Sequence, residues 1–268
     1  MQLNINTKNR DIQCFLLDMD GTIYLGDKLL PGAKDFINLL NQKNFQYLFL
    51  TNNSSKSAKE YQQKLNHLGL NESQNKILTS GEATCIYLQN IRPGARIHVC
   101  GTLALVKEFQ KNGFILDDDH PEFVVLGYDT TITYTKLDMF SRFVRLGVPY
   151  IATHADINCP IENGGFLPDV GSLIAFVFAS TGRQPDVIIG KPNQPMIDAV
   201  LKKTLLGIHE IAMIGDRLYT DVAMGSAGII TILVLSGETN LADAHASRFK
   251  ANLIVKDLSE LIKIIFPR

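Results

Sequence analysis

The stretch Cys14-Phe15-Leu16-Leu17-Asp18-Met19-Asp20-Gly21-Thr22 runs four apolar residues straight into a pair of carboxylates. A nearly continuous apolar run, here Ile12–Leu17 with only Gln13 polar, suits a strand buried on both faces. Asp18 and Asp20, two residues apart, can face one site at the end of that strand. Gly21 permits a sharp exit of the backbone, and Thr22 can tie the turn through its hydroxyl. Carboxylates this close repel unless a cation lies between them or one holds a proton. Both arrangements suit phosphoryl chemistry, although a polar turn explains the segment equally well when it is taken alone. A calcium loop fits poorly, because Ile23, Tyr24 and Leu25 stand where further oxygen ligands should follow.

Outward from this stretch, short apolar runs alternate with amphipathic segments, the pattern of an α/β protein. A helix is predicted over Ala33–Lys43, with Phe36, Ile37, Leu39 and Leu40 on its inner face. Gln46–Leu50 reads as a strand ending at Thr51-Asn52-Asn53. Ser57 followed by Glu60 makes a capping box for a helix that Gly69 stops. The same alternation returns late in the chain. Val187–Ile189 leads to Gly190-Lys191-Pro192 and a helix over Met196–Leu206. Ile211–Ile214 leads to Gly215-Asp216 and a helical stretch to Ala227, followed by strands at Ile229–Leu235 and Leu253–Val255 and a closing helix at Leu258–Ile265.

Between the halves, about Glu82 to Pro185, strands are expected at Arg96–Cys100, Phe123–Leu126 and Pro149–Thr153. Helices are expected at Leu103–Lys111, Lys136–Leu146 and Ser172–Ser180. That is enough for a second small domain inserted into the first. The expected organisation is a core of residues 1–81 and 186–268 with an insertion of 82–185. In open parallel sheets ligands bind beyond the carboxyl ends of the strands. Asp18/Asp20, Thr51/Asn52 and Gly215/Asp216 all follow such ends, and are expected to converge on one rim.

Composition narrows the classes of function. With 26 basic and 27 acidic residues in 268, the formal charge is -1. This offers no electrostatic case for nucleic acid or an anionic membrane as partner. No apolar run is long enough to span a bilayer, and Met1 to Arg10 is polar, without the hydrophobic stretch of a secretory signal. A cytoplasmic protein is expected. Cys14, Cys85, Cys100 and Cys159 are scattered without a CxxC pair, and Cys14 and Cys100 sit in strand-like runs, so buried thiols are expected rather than disulfides. Asp117-Asp118-Asp119 reads as a solvated acidic loop.

Four motifs stand in order: Asp18-Met19-Asp20-Gly21-Thr22, Thr51-Asn52-Asn53, Gly190-Lys191-Pro192, and the stretch from Gly215-Asp216 to Asp221. Separately, the first is explained as well by a polar turn, and the other three are more economically a loop, a cap or surface charge. Together, they resemble the haloacid-dehalogenase-like superfamily, and Asp18–Gly32 (DMDGTIYLGDKLLPG) resembles its NagD-like branch (class IIA), which includes nitrophenylphosphatases. The resemblance spans nearly the whole chain and implies a Rossmann-like parallel-sheet core with an inserted α/β cap.

The activity it implies is magnesium-dependent hydrolysis of small-molecule phosphate monoesters. Asp18 would attack phosphorus to form an aspartyl-phosphate. Asp20 would protonate the leaving oxygen and then deprotonate water, which requires a raised pKa. Asp18, the backbone carbonyl of Asp20, and Asp216 would hold Mg2+, with Asp221 as an outer carboxylate. Thr51, Asn52, Asn53 and Lys191 would bind the phosphate, Lys191 as a fixed positive charge. A phosphotransferase or mutase of the same superfamily, and a non-catalytic magnesium- and phosphate-binding module, are the competing readings. Dehalogenation is disfavoured by the acid/base at position 20 and the metal set.

In the cap, His154-Ala155-Asp156 stands where related members often carry Asn-Pro-Asp, and Asp169 replaces a small residue. His154 and Asp156 are possible substrate contacts, although a satisfied turn histidine is the simpler reading of His154. The expected partner is a small phosphorylated metabolite, and the family habit adds a homodimer through the cap.

Overall fold

The computed structural model describes residues 11–160 and 165–267. Met1 to Arg10, read above as lacking a secretory signal, lies outside the described residues.

In chain order, β1 (Cys14–Leu17) is followed by a hairpin of β2 (Tyr24–Leu25) and β3 (Lys28–Leu29), then α1 (Ala33–Gln42), β4 (Gln46–Thr51), α2 (Ala58–His67) and β5 (Ile77–Thr79). Next come α3 (Ser80–Ile91), β6 (Arg96–Cys100), α4 (Leu103–Lys111), β7 (Ile115–Leu116), β8 (Phe123–Leu126), α5 (Tyr134–Arg145) and β9 (Tyr150–Ala152). A second hairpin, β10 (Asn158–Pro160) and β11 (Phe166–Pro168), precedes α6 (Val170–Thr181), β12 (Val187–Ile188) and α7 (Gln194–Thr204). The chain closes with β13 (Ile211–Gly215), β14 (Ile230–Val234), α8 (Leu241–Ala246), β15 (Leu253–Val255) and α9 (Leu258–Ile265).

These elements form two compact units. The first comprises the chain through Leu50, Tyr61–Leu78, and the chain from Val200 onward; the second comprises Thr51–Glu60 and Thr79–Ala199.

The first unit is built on a six-stranded sheet of order β15-β14-β13-β1-β4-β5. The pairings from β15 through β4 are parallel, and β1 is central, with Leu17 opposite Ile214 on one side and Phe49 on the other. A strand flanked on both sides and covered on both faces must be apolar throughout, and Phe15, Leu16 and Leu17 are fully buried. The inner face of α1 carries Ala33, Phe36, Ile37 and Leu40, with the Phe36 ring edge-on to Phe15 at 5.7 Å. Each such aromatic contributes about 2–3 kcal/mol through burial. Leu39, expected on that face, is only half-buried, because it falls on the flank of the apolar stripe. Gly32 begins α1 with φ of 80°, where a side chain would strike the backbone of Leu258 and Ser259 in α9.

The second unit has a five-stranded parallel sheet of order β12-β9-β8-β6-β7. Its core joins Val124 and Leu126 of β8, Phe140 and Val144 of α5, Tyr150 and Ala152 of β9, and Val170 and Val177 of α6. Side-chain caps start its helices as the sequence prescribes: Thr102 accepts from the Leu105 N–H, Thr133 from Lys136, and Asp169 from Val170. The Ser57–Glu60 capping box is formed in both directions.

One expected element needs correction. The helical stretch toward Ala227 is a short 3-10 turn, Val222–Ala227, which Gly228 ends with φ of 96°. The edge strand β5 and the helix α3 behind it were not anticipated. Among the described residues, no helix is long and apolar enough to cross a membrane.

Candidate active site

At the end of β1 the chain turns sharply. The Met19 carbonyl accepts N–H groups from Thr22, Ile23 and Tyr24, and Gly21, with φ of 87°, donates its N–H to the Tyr24 carbonyl. The turn is therefore tied by Met19, not by the Thr22 hydroxyl, which is buried with no hydrogen-bond partner among the described residues. Met19, Ile23 and Tyr24 are fully buried beneath it, so the residues that spoil a calcium loop are the ones that anchor this turn. Asp18 is 9% exposed, and its N–H donates to the Ile214 carbonyl of β13, 2.9 Å away. Parallel pairing of β1 with β13 thus delivers Asp18 and Asp216 to the same sheet edge.

Asp18, Asp216 and Asp221 are all buried and offer carboxylate oxygens lying within 4.8 Å of one another. Asp216 is held hardest. Its Oδ2 accepts the Glu238 N–H at 2.7 Å, while its Oδ1 is buried without a partner among the described residues. Side chains at Gly21 or Gly237 would overlap this carboxylate, and one at Gly215 would overlap that of Asp221. Burial raises the Asp216 carboxyl well above the ordinary carboxylate range, and the nearby Asp18 and Asp221 push the same way. Asp221 accepts the Arg217 N–H at 3.1 Å. Asp20 is partly exposed, with the Tyr24 hydroxyl 3.4 Å from its Oδ2.

Three close carboxylates, one with an orphaned buried oxygen, form a donor set suited to a hard divalent cation. The residues fit the metal the sequence implies.

The other candidate residues belong to the second unit. Thr51 Oγ1 accepts the Asn53 N–H at 3.1 Å, which leaves its proton for donation; Asn53 Oδ1 accepts from the Ser55 N–H and hydroxyl. Lys191 lies in a turn and is 4% exposed, unlike a solvated surface lysine. Asn52 Oδ1 accepts the Lys191 N–H at 2.7 Å, and Asn52 Nδ2 donates to the Lys191 carbonyl at 3.2 Å and to Asp156 Oδ1 at 3.0 Å. His154 is fully buried, with Nδ1 3.0 Å from Thr153 Oγ1 and Nε2 2.9 Å from Asp169 Oδ1. The acidic run is a loop, as expected: Asp117 accepts the N–H groups of His120 and Asp119, which lower its pKa. Asp118 reaches His98 Nδ1 at 2.7 Å, a partner not foreseen.

Comparison with known proteins gives the family. Residues 15–115 match the model of the haloacid dehalogenase-like hydrolases, and residues 188–261 match a related HAD-hydrolase-like model. An acid sugar phosphatase of Staphylococcus saprophyticus is 36% identical over 256 residues, spanning 95% of this chain and 98% of that protein. The chain belongs to the haloacid dehalogenase-like hydrolases. Among solved structures of this family, a 4-nitrophenylphosphatase from Thermotoga maritima superposes with a TM-score of 0.92 at 45% identity, covering 95% of this chain and 97% of that one. NagD from Escherichia coli gives 0.86 at 31% identity, covering 93% and 98%, which accords with the NagD-like branch.

In this haloacid dehalogenase-like chain the four motifs were readable because each follows a strand. Tyr24 and Gly237 were missed as contributors to the site. Tyr24 could have been noticed as a buried aromatic four residues from Asp20. Nothing local marks Gly237, whose need for a bare Cα arises from Asp216, 21 residues earlier in the chain.

Proposed function

We propose that this hydrolase cleaves small-molecule phosphate monoesters with Asp18 as nucleophile. The observation that carries the reading is the buried trio of Asp18, Asp216 and Asp221, with Asp216 Oδ1 lacking a partner among the described residues. The chain is then a phosphoric monoester hydrolase, as its haloacid dehalogenase-like relatives are named.

Asp18 attacks phosphorus and expels the alcohol, forming a carboxylate–phosphate anhydride that water then opens. Asp20 gives its proton to the departing oxygen and takes one from the incoming water, with the Tyr24 hydroxyl fixing its carboxyl. Asp18, the Asp20 backbone carbonyl and Asp216 would hold Mg2+, with Asp221 steadying the Arg217 backbone beside them. Magnesium there would screen the anionic ester and the attacking carboxylate from each other. The Thr51 hydroxyl, the Asn52 N–H and the Lys191 ammonium would receive the negative charge of the transferring phosphoryl group. The name of the staphylococcal relative makes sugar phosphates the first substrates to try. The working setting is a cytoplasmic enzyme taking a small metabolite, assembled as a homodimer through the inserted region.

Free phosphate release from a panel of metabolite esters, with Mg2+ and water as sole acceptor, tests the reading. Turnover that disappears in Asp18→Asn while the fold is retained supports it. Undiminished turnover in that variant rules out Asp18 as nucleophile, and phosphate passing only to another alcohol makes the protein a transferase.

A further inference from the structure

The second unit shows how Lys191 is held, and the arrangement deepens the proposed function on which it rests. We infer that Asp156 is a positioning residue that sets the backbone of Lys191 by acting through the side chain of Asn52.

The argument begins with what a buried amide requires. Asn52 is 5% exposed, so its oxygen and both amide hydrogens must find partners within the protein. The Lys191 N–H can only donate, and therefore faces Oδ1 at 2.7 Å. That choice turns Nδ2 toward two acceptors, the Lys191 carbonyl at 3.2 Å and Asp156 Oδ1 at 3.0 Å. Asn52 thus brackets both backbone polar groups of one residue, and Asp156 adds a carboxylate acceptor that favours the same amide orientation. With the amide reversed, an NH2 group would face the Lys191 N–H and an oxygen would face the Asp156 carboxylate; both are repulsive pairings.

The neighbouring chain is fixed to the same point. Gly190 donates its N–H to the Thr153 carbonyl at 2.8 Å, and a side chain there would strike Asn52 Oδ1 and His154 Cβ. The Asp156 carbonyl accepts the Gly171 N–H at 2.8 Å, where a side chain would also collide with it. Ser54 Oγ lies 3.0 Å from Thr153 Oγ1, fastening the Asn52 loop to the end of β9. Lys191 carries a long, flexible stem, and a charge at its tip is useful only if its root does not move. A displacement of about 1 Å in a positioning group can cost about 10²-fold in rate.

The test compares Asp156→Ala, Asp156→Asn, Lys191→Ala and the double variant Asp156→Ala/Lys191→Ala, with 4-nitrophenyl phosphate and glycerol phosphate as probes. Asp156→Ala should lower kcat/KM by about 10–100-fold, by the same factor on both esters, since the defect lies at the phosphoryl group. Asp156→Asn, which keeps an acceptor oxygen of the same reach, should recover most of the loss. In the Lys191→Ala background the Asp156→Ala change should add less than about threefold. A loss confined to one ester would make Asp156 a contact to the leaving group and overturn the inference. Full multiplication of the two losses would overturn it as well. If Asp156→Ala does not fold, Asp156→Leu, which removes the acceptor but keeps the bulk, carries the ester comparison and the Lys191→Ala background in its place. Wild-type protein without phosphate release would overturn the phosphatase reading and this inference together; active wild type with an unaffected Asp156→Ala overturns this one alone.

Discussion

The Asp216 carboxylate is packed against the bare Cα of Gly21, so that a methyl group at position 21 would occupy the space of Asp216 Oδ2. Gly237 closes on the same carboxylate from another segment. Gly21 also has φ of 87°, a conformation that costs an L-residue about 1 kcal/mol or more. Gly237→Ala carries the collision without that backbone penalty. Both variants are expected to lower phosphatase activity by about 10²-fold or more and to weaken divalent-cation binding, as read by kinetics and calorimetry. A Gly237→Ala protein with ordinary metal affinity would show that Asp216 need not be held where it lies.

The raised carboxyl of Asp216 has consequences for stability without metal. Its pKa in the folded protein lies above the unfolded value, so the native state keeps a proton the unfolded chain has released. The contribution of this carboxyl to the stability of metal-free protein is therefore fully present below the unfolded value, roughly pH 4, and is lost as pH rises toward the folded pKa. In excess chelator, Tm should fall between pH 5 and pH 8 more for wild type than for Asp216→Asn. Adding Mg2+ should raise the wild-type Tm and leave that of Asp216→Asn nearly unchanged. Equal pH slopes for the two proteins would contradict this account.

His154 sits with both ring nitrogens against partners and no exposed surface. Removing the ring would leave Asp169 and Thr153 facing a void. His154→Ala is expected to cost about 3 kcal/mol, measured by denaturant unfolding. At a temperature where the variant remains folded, KM values across esters should change in parallel. A selective rise for one ester would return His154 to the role of substrate contact.

Burial decides thiol reactivity. It pushes the Cys14 and Cys100 thiols up to about 12 and the Cys85 thiol well above its ordinary value. At pH 8 only roughly one in 10⁴ of the first two would be thiolate. Native protein should take at most one equivalent of an alkylating reagent, at the half-buried Cys159, and unfolded protein should take four, counted by mass spectrometry. Labelling of Cys14 in native protein would mean that β1 opens.

Much of this protein was legible before any coordinates. Apolar runs that must be buried on both faces announce parallel strands, so β1, β4, β6, β8, β13 and β15 were found within a residue or two of their bounds. Asp18, Thr51, Lys191 and Asp216 could be singled out as candidates because each ends or follows such a run. The 3-10 turn after Asp221 was harder. Its Val222, Ala223 and Met224 are buried whichever helix forms, and apolarity alone does not separate the two. The edge strand β5 is three residues long, too short to show a period.

The sequence by itself determined which residues could do chemistry and where along the chain each strand would release them, because hydrophobic periodicity and turn chemistry are local. Tertiary structure alone decided what each polar group faces. It set Asn52 against the backbone of Lys191, Asp156 against Asn52, His154 between Thr153 and Asp169, and two distant glycines against Asp216. Those pairings are fixed by desolvation: once buried, a donor or acceptor must take a partner from whatever packing brings near, and no local pattern records which one that is.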